Sequence, residues 1–121
     1  MKKLLLDRIC NLKVKEVQAK LNFRRDEQKF YAQELKNAFM RLNIKDVKEI
    51  REESKKRLSY TQDMIAKTKN ITQKCKEKEI PATTLDAKHF YTLSSKEIAY
   101  ENLILECDAI LTKLDNNDLQ F

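Results

Sequence analysis

The longest run of apolar positions in this chain lies near its carboxyl end, between residues 98 and 114. Eleven of these seventeen residues are apolar, and they cover well over one face of a helix with 3.6 residues per turn. A helix with so much apolar surface needs cover on two sides. The pattern therefore predicts a central helix, packed against the more polar helices that precede it.

A stripe of apolar residues at heptad spacing predicts a first long helix at about residues 3–42. Arg24 and Gln28 interrupt this stripe at seam positions. Polar residues there either cover apolar surface with their long stems or help to select a register or partner.

Three phenylalanines, Phe23, Phe30 and Phe39, lie off the stripe, and the first two are one heptad apart. On a continuous helix they form a second apolar strip. This strip either faces another helix or remains open to a partner.

The segment after Leu42 marks the first helix boundary. Asn43 can adopt the left-handed conformation that ends a helix, and Asp46 followed by Glu49 has capping-box spacing. The second helix, at about residues 46–79, is the most polar of the three. Without this boundary, the first two helices would fuse into a long coiled coil.

Pro81 forces the second boundary because it cannot continue a helix. The third helix is predicted at about residues 84–115. The capping-box spacing of Ser94 and Glu97 indicates a break near 93–94, and the polar run that begins at Asp115 indicates its end.

The composition favours an all-helical fold of one domain, residues 1–121. Glycine is absent and proline occurs once, so tight turns between strands have few suitable residues. The expected architecture is an antiparallel three-helix bundle. Because the third helix is shorter than the first, two helices should project beyond it near the first boundary.

The net charge of +6 is unevenly distributed. Residues 1–80 hold 22 Lys or Arg against 12 Asp or Glu, whereas residues 81–121 hold 3 against 7. Either the acidic helix pairs with basic neighbours inside the bundle, or a basic face is exposed to an acidic partner.

Three cysteines, Cys10, Cys75 and Cys107, form no motif and are expected to be buried free thiols in a reducing compartment. The first ten residues lack a secretory h-region, and no apolar run is long enough to span a membrane. We therefore expect an intracellular protein of the cytoplasm or nucleus.

The residues required for common catalytic and cofactor sites are missing from the sequence. The single histidine, His89, stands beside two aromatic residues, and zinc, EF-hand and phosphate-loop motifs are absent. We expect no enzyme activity, no cofactor and no metal site. No segment resembles a known family closely enough to assign the chain to one.

The remaining functions are binding functions. The first hypothesis is a protein–protein interaction module that binds its partner through the overhanging bundle end and the residues Phe23, Phe30, Phe39, Arg24 and Gln28. The alternative is a basic accessory protein that binds nucleic acid through the second helix, with Lys55, Lys56, Arg57, Lys67, Lys74 and Lys78. A self-associating coiled coil is the second alternative.

Overall fold

The computed structural model describes residues 2–78 and 84–119. In these two ranges the chain forms four α-helices and no strand. The helices are α1 (Lys3–Leu21), α2 (Arg25–Phe39), α3 (Ile44–Glu77) and α4 (Thr84–Leu119). The all-helical prediction is confirmed, but four helices replace the three that were expected. Residue 79 and the break at Pro81 lie outside the described residues.

The predicted first helix is divided by a turn at residues 22–24. Phe23 has a positive φ of 59°, and its N–H donates to the Lys20 carbonyl at 3.2 Å. The Arg24 N–H donates to the Ala19 carbonyl at 2.8 Å. These two bonds form a Schellman motif, in which glycine usually occupies the left-handed position. The prediction of one helix over residues 3–42 is wrong because phenylalanine at that position gives no turn signal.

The boundary before α3 is confirmed, but its capping residue is Asn43 rather than Asp46. The Asn43 side chain accepts a hydrogen bond from the Asp46 N–H at 2.8 Å. The Asp46 carboxylate in turn accepts one from the Asn43 N–H at 3.3 Å. This reciprocal pair is a capping box, and it starts α3 two residues earlier than predicted. The fused two-helix rod is therefore excluded.

Helix α4 continues through the predicted break near 93–94 and past the predicted end at residue 115. Leu93, Ser95 and Ala99 are buried, so tertiary packing holds this segment in the helix. Ser95 donates its hydroxyl proton to the Thr92 carbonyl at 2.9 Å, which satisfies the hydroxyl inside the protein. The capping-box spacing that begins at Ser94 is therefore not used.

The helices lie in the spatial order α2, α1, α4, α3. Gln18 of α1 donates to Ser95 of α4 at 3.2 Å, and Lys13 pairs with Glu106 further along, so α1 and α4 are antiparallel. Helices α3 and α4 make the most extensive contact, and α2 packs mainly on the other side of α1. Helix α4 is thus covered on two sides, as its apolar pattern predicted.

The core is built mainly from α1, α3 and α4, with Leu35 as the buried residue of α2. Its fully buried residues are Ile9, Cys10, Ile50, Ser54, Ser95, Ala99, Leu103 and Cys107. Several of these side chains are small, which allows neighbouring helices to approach closely. The apolar surface of α4 is not buried all round, because Ile98 and Leu105 are exposed.

The overhang lies at the opposite end of the molecule from the predicted one. Asn22, at the end of α1, donates to the Tyr91 hydroxyl of α4 at 3.0 Å. Residues of α4 before Tyr91 and the last turns of α3 therefore extend beyond α1. At the first boundary, by contrast, Leu5 and Leu42 line one recess, so α1 covers that end. The prediction failed because α1 is half as long as expected.

A pair of matched substitutions in α4 tests this packing. Leu103→Ala should lower the free energy of unfolding by about 2–5 kcal/mol, because the side chain is fully buried between two helices. Leu105→Ala, two residues away and 66% exposed, should change it by less than about 0.5 kcal/mol. Denaturant unfolding followed by circular dichroism measures both, and equal effects would contradict the assigned face.

Candidate functional site

Phe23 occupies a position that disfavours it in two ways. Its backbone is left-handed, which costs a residue with a Cβ about 1–2 kcal/mol. Its side chain is 89% exposed, so an aromatic ring stands in water with little burial in return. Because neither property stabilises the isolated chain, Phe23 is the strongest candidate for contact with another molecule.

Phe30 is the second exposed phenylalanine, on α2. Its side chain is 60% exposed, and its ring meets Tyr31 edge to face with centroids 5.5 Å apart. The Lys15 ammonium lies 6.0 Å from the centre of the Tyr31 ring. These contacts support one edge of Phe30 while leaving most of its surface open. We call Phe23 and Phe30 together the turn surface.

The other predicted partner-binding residues are separated from the turn surface or engaged locally. Phe39 is half-buried and packs against the core, because it lies nine residues after Phe30 and so on the opposite face of α2. The turn at 22–24 also breaks the heptad relation between Phe23 and Phe30. Arg24 stands at the start of α2 and pairs with Glu27 at 3.5 Å. Gln28 is half-buried. The three phenylalanines therefore do not form a single strip.

Arg57, predicted as a nucleic-acid contact, is held inside the fold. Its guanidinium donates to Asp7 of α1 and, at 3.0 Å, to Glu53 of α3. Burial disfavours the charged form, but the hydrogen bonds to Glu53 and Asp7 outweigh it and raise the pKa. Burial also raises the pKa of Tyr100, although the nearby Arg57 guanidinium opposes the shift. Arg57 is thus a structural link between helices.

The other predicted lysines differ from one another. Lys55 lies 3.8 Å from Glu52. Among the residues that the structure describes, Lys56, Lys67, Lys74 and Lys78 have exposed side chains and no carboxylate within ion-pair distance.

Sequence reasoning overlooked Tyr60 and Ile71, which are exposed on the same side of α3. The seven-residue interval from Tyr60 to Lys67, repeated from Lys67 to Lys74, is the signal that identifies this face.

The acidic charge of α4 is partly neutralised by its neighbours. Buried Lys13 of α1 pairs with Glu106, and Arg51 of α3 lies 2.7 Å from Asp108. These pairs agree with the internal interpretation of the uneven charge. They also leave the unpaired lysines of α3 concentrated toward its carboxyl end.

The two described cysteine thiols are poorly suited to nucleophilic chemistry. Burial, reinforced by the charges of Glu106 and Asp108, raises the pKa of Cys107 to about 12. Burial also raises the pKa of Cys10, although nearby Arg57 opposes the shift. The thiolate is the reactive form, so both groups are expected to be inert at neutral pH.

The single histidine of the chain, His89, is exposed. Within residues 2–78 and 84–119, no three His, Cys, Asp or Glu side chains converge as metal ligands. No helix in the same ranges combines the length and the apolar character needed to cross a membrane.

Comparison with known proteins gives no family assignment. No protein-family model matches the chain, and no curated protein or solved structure shows significant similarity to it.

Replacing Phe23 by glycine tests whether this residue costs stability. Phe23→Gly should raise the free energy of unfolding by about 0.5–1 kcal/mol, since the relief of backbone strain exceeds the extra entropy of glycine in the unfolded chain. The same change at Phe30, inside a helix, should lower it by about 1 kcal/mol. Chemical denaturation measures both, and a destabilised Phe23→Gly protein would show that the ring supports the fold.

The thiol pKa values predict slow chemical labelling. In a Cys75→Ser background, Cys10 and Cys107 should react with a chromogenic aromatic disulfide far more slowly in the folded chain than after denaturation. Absorbance of the released thiolate follows the reaction. Rapid labelling of the folded chain at neutral pH would contradict their burial.

Proposed function

We propose that this chain is a non-catalytic helical module that binds another protein through the turn surface, Phe23 and Phe30. The observation that carries the proposal is the position of Phe23, a strained and exposed aromatic residue at the end of α1. Strained backbone persists where the surrounding structure holds it, and it concentrates at functional positions. A buried contact with a partner would offset both the strain and the exposure.

The surroundings of the turn surface support a protein partner. Aromatic rings are the usual anchors of protein interfaces, because they bury a large area with few rotatable bonds. Lys20, Arg25 and Lys29 are exposed beside the two phenylalanines in the sequence. Such a mixture of aromatic anchors and a charged rim is typical of protein–protein contacts.

A second copy of the chain is one form that the partner could take. Two turn surfaces related by a two-fold axis would bury the four phenylalanines against each other. This differs from the coiled coil considered from the sequence, because the contact would involve a turn rather than a long helix seam. Sedimentation velocity distinguishes self-association from binding to a different protein.

The decisive experiment compares two double variants of the full chain. Proteins that co-purify from the native cell should be lost from Phe23→Ser/Phe30→Ser, because the two aromatic anchors are removed. They should be retained by Leu4→Ser/Leu105→Ser, which removes comparably exposed apolar side chains elsewhere. Quantitative mass spectrometry measures the proteins that co-purify with each double variant, and circular dichroism confirms that each variant is folded.

Two outcomes of this co-purification experiment would contradict the proposal. If the Phe23→Ser/Phe30→Ser protein keeps its partners at the wild-type level, the turn surface is not the binding site. If both double variants lose them equally, the interaction is non-specific apolar adsorption, and the proposal also fails.

A further inference from the structure

The carboxyl-terminal half of α3 carries an excess of positive charge that the fold does not use. Residues 64–78 hold five lysines and one glutamate. Among the described residues, every basic side chain in an ion pair lies between Arg8 and Arg57, so these five lysines have no such partner. Like charges so close together repel one another, and an anion bound there would relieve that repulsion.

Three of these lysines share one face. Lys67, Lys74 and Lys78 fall within about 40° of each other around the helix, at successive rises of about 10 Å and 6 Å. Exposed Ile71 lies between them, and exposed Tyr60 lies on the same side one heptad before Lys67. We call Tyr60, Lys67, Lys74 and Lys78 the lysine face. Asp63 is the carboxylate that interrupts it between Tyr60 and Lys67.

The position of the lysine face makes it accessible. It points away from the buried side of α3, which is marked by Ser54, Thr61 and Ile65. Its last turns also belong to the part of α3 that extends beyond α1. A long flexible polyanion could therefore lie along it without displacing any described helix.

We infer that the lysine face binds the phosphate backbone of a single-stranded nucleic acid, with Tyr60 stacking on a base. Lysine ammonium groups in a row neutralise successive phosphates, and an exposed aromatic ring accepts any base by stacking. This is a second binding function, carried by different residues from the turn surface.

Other anions fit this face less well. An acidic protein helix needs an apolar groove in which to seat its own apolar side, and the lysine face is a convex row. A membrane surface needs a contiguous apolar strip for insertion, but Tyr60 and Ile71 are separated by eleven residues and flanked by charge. Single-stranded nucleic acid requires only charge and a stacking ring, and both are present.

The test measures affinity for a fluorescein-labelled oligothymidylate of about 16 nucleotides by fluorescence anisotropy at about 50 mM salt. Lys67→Gln/Lys74→Gln/Lys78→Gln should weaken binding at least tenfold. It should also reduce the slope of log K against log salt by about 2, since each lost phosphate contact contributes about 0.7. Circular dichroism verifies that the variant is folded.

A second triple variant serves as a control, because it distinguishes the loss of contacts on the lysine face from the loss of net positive charge. Lys3→Gln/Lys45→Gln/Lys48→Gln removes the same charge from exposed lysines at the other end of the molecule. It should weaken binding less than threefold. Equal weakening by both triples would overturn the inference, because it would reduce the effect to overall charge.

Two further measurements complete the test. Tyr60→Ala should weaken binding at least fivefold if a base stacks on the ring, whereas Phe23→Ser should leave it unchanged. Undetectable binding by the wild-type chain at about 50 mM salt would overturn the inference. Equal or tighter binding to polyglutamate, or to vesicles containing phosphatidylserine, would overturn the assignment to nucleic acid.

Discussion

Close packing of α4 between α1 and α3 is the constraint on which this structure depends. Leu103 and Cys107 of α4 are fully buried, and so are Cys10 of α1 and Ser54 of α3. Small side chains at these contacts bring the backbones together, so a larger residue would push the helices apart. Helix α2 contributes one buried residue, Leu35, and is the more peripheral element.

The same packing decides which charges are satisfied. Lys13, Arg51 and Arg57 stand at the edges of the core, and each meets a carboxylate of another helix. Removing one member of such a pair would leave a partly buried charge without compensation. The basic residues that form these pairs are therefore structural, whereas the lysines on the carboxyl-terminal part of α3 are exposed and form no ion pair with another described residue.

Both candidate surfaces consist of residues that add little to the stability of the chain alone. Phe23 is strained and exposed, and the lysines of α3 repel one another. Both surfaces also lie toward the same end of the molecule. Phe23 follows Asn22, and Asn22 is hydrogen-bonded to Tyr91, where the overhang of α3 and α4 begins. The opposite end contains the capping box of α3.

Much of the architecture follows from the sequence. The apolar run at 98–114 indicated a helix covered on two sides, and the absence of glycine indicated an all-helical chain. Asn43 marked a real boundary, although the capping geometry differed from the prediction. These features depend on local periodicity and local hydrogen bonding, which neighbouring residues determine.

The turn at Phe23, the continuity of α4 at Ser94 and the role of Arg57 were decided only by tertiary structure. A phenylalanine in a left-handed position has no local signature, and it is held there because α2 packs back onto α1. Ser94 begins a capping box in isolation, but burial of Ser95 and Ala99 keeps the helix intact. Arg57 looked like a surface cation until Asp7, fifty residues earlier, was placed beside it. In each case packing against another helix decides the outcome, and local sequence patterns do not show that packing.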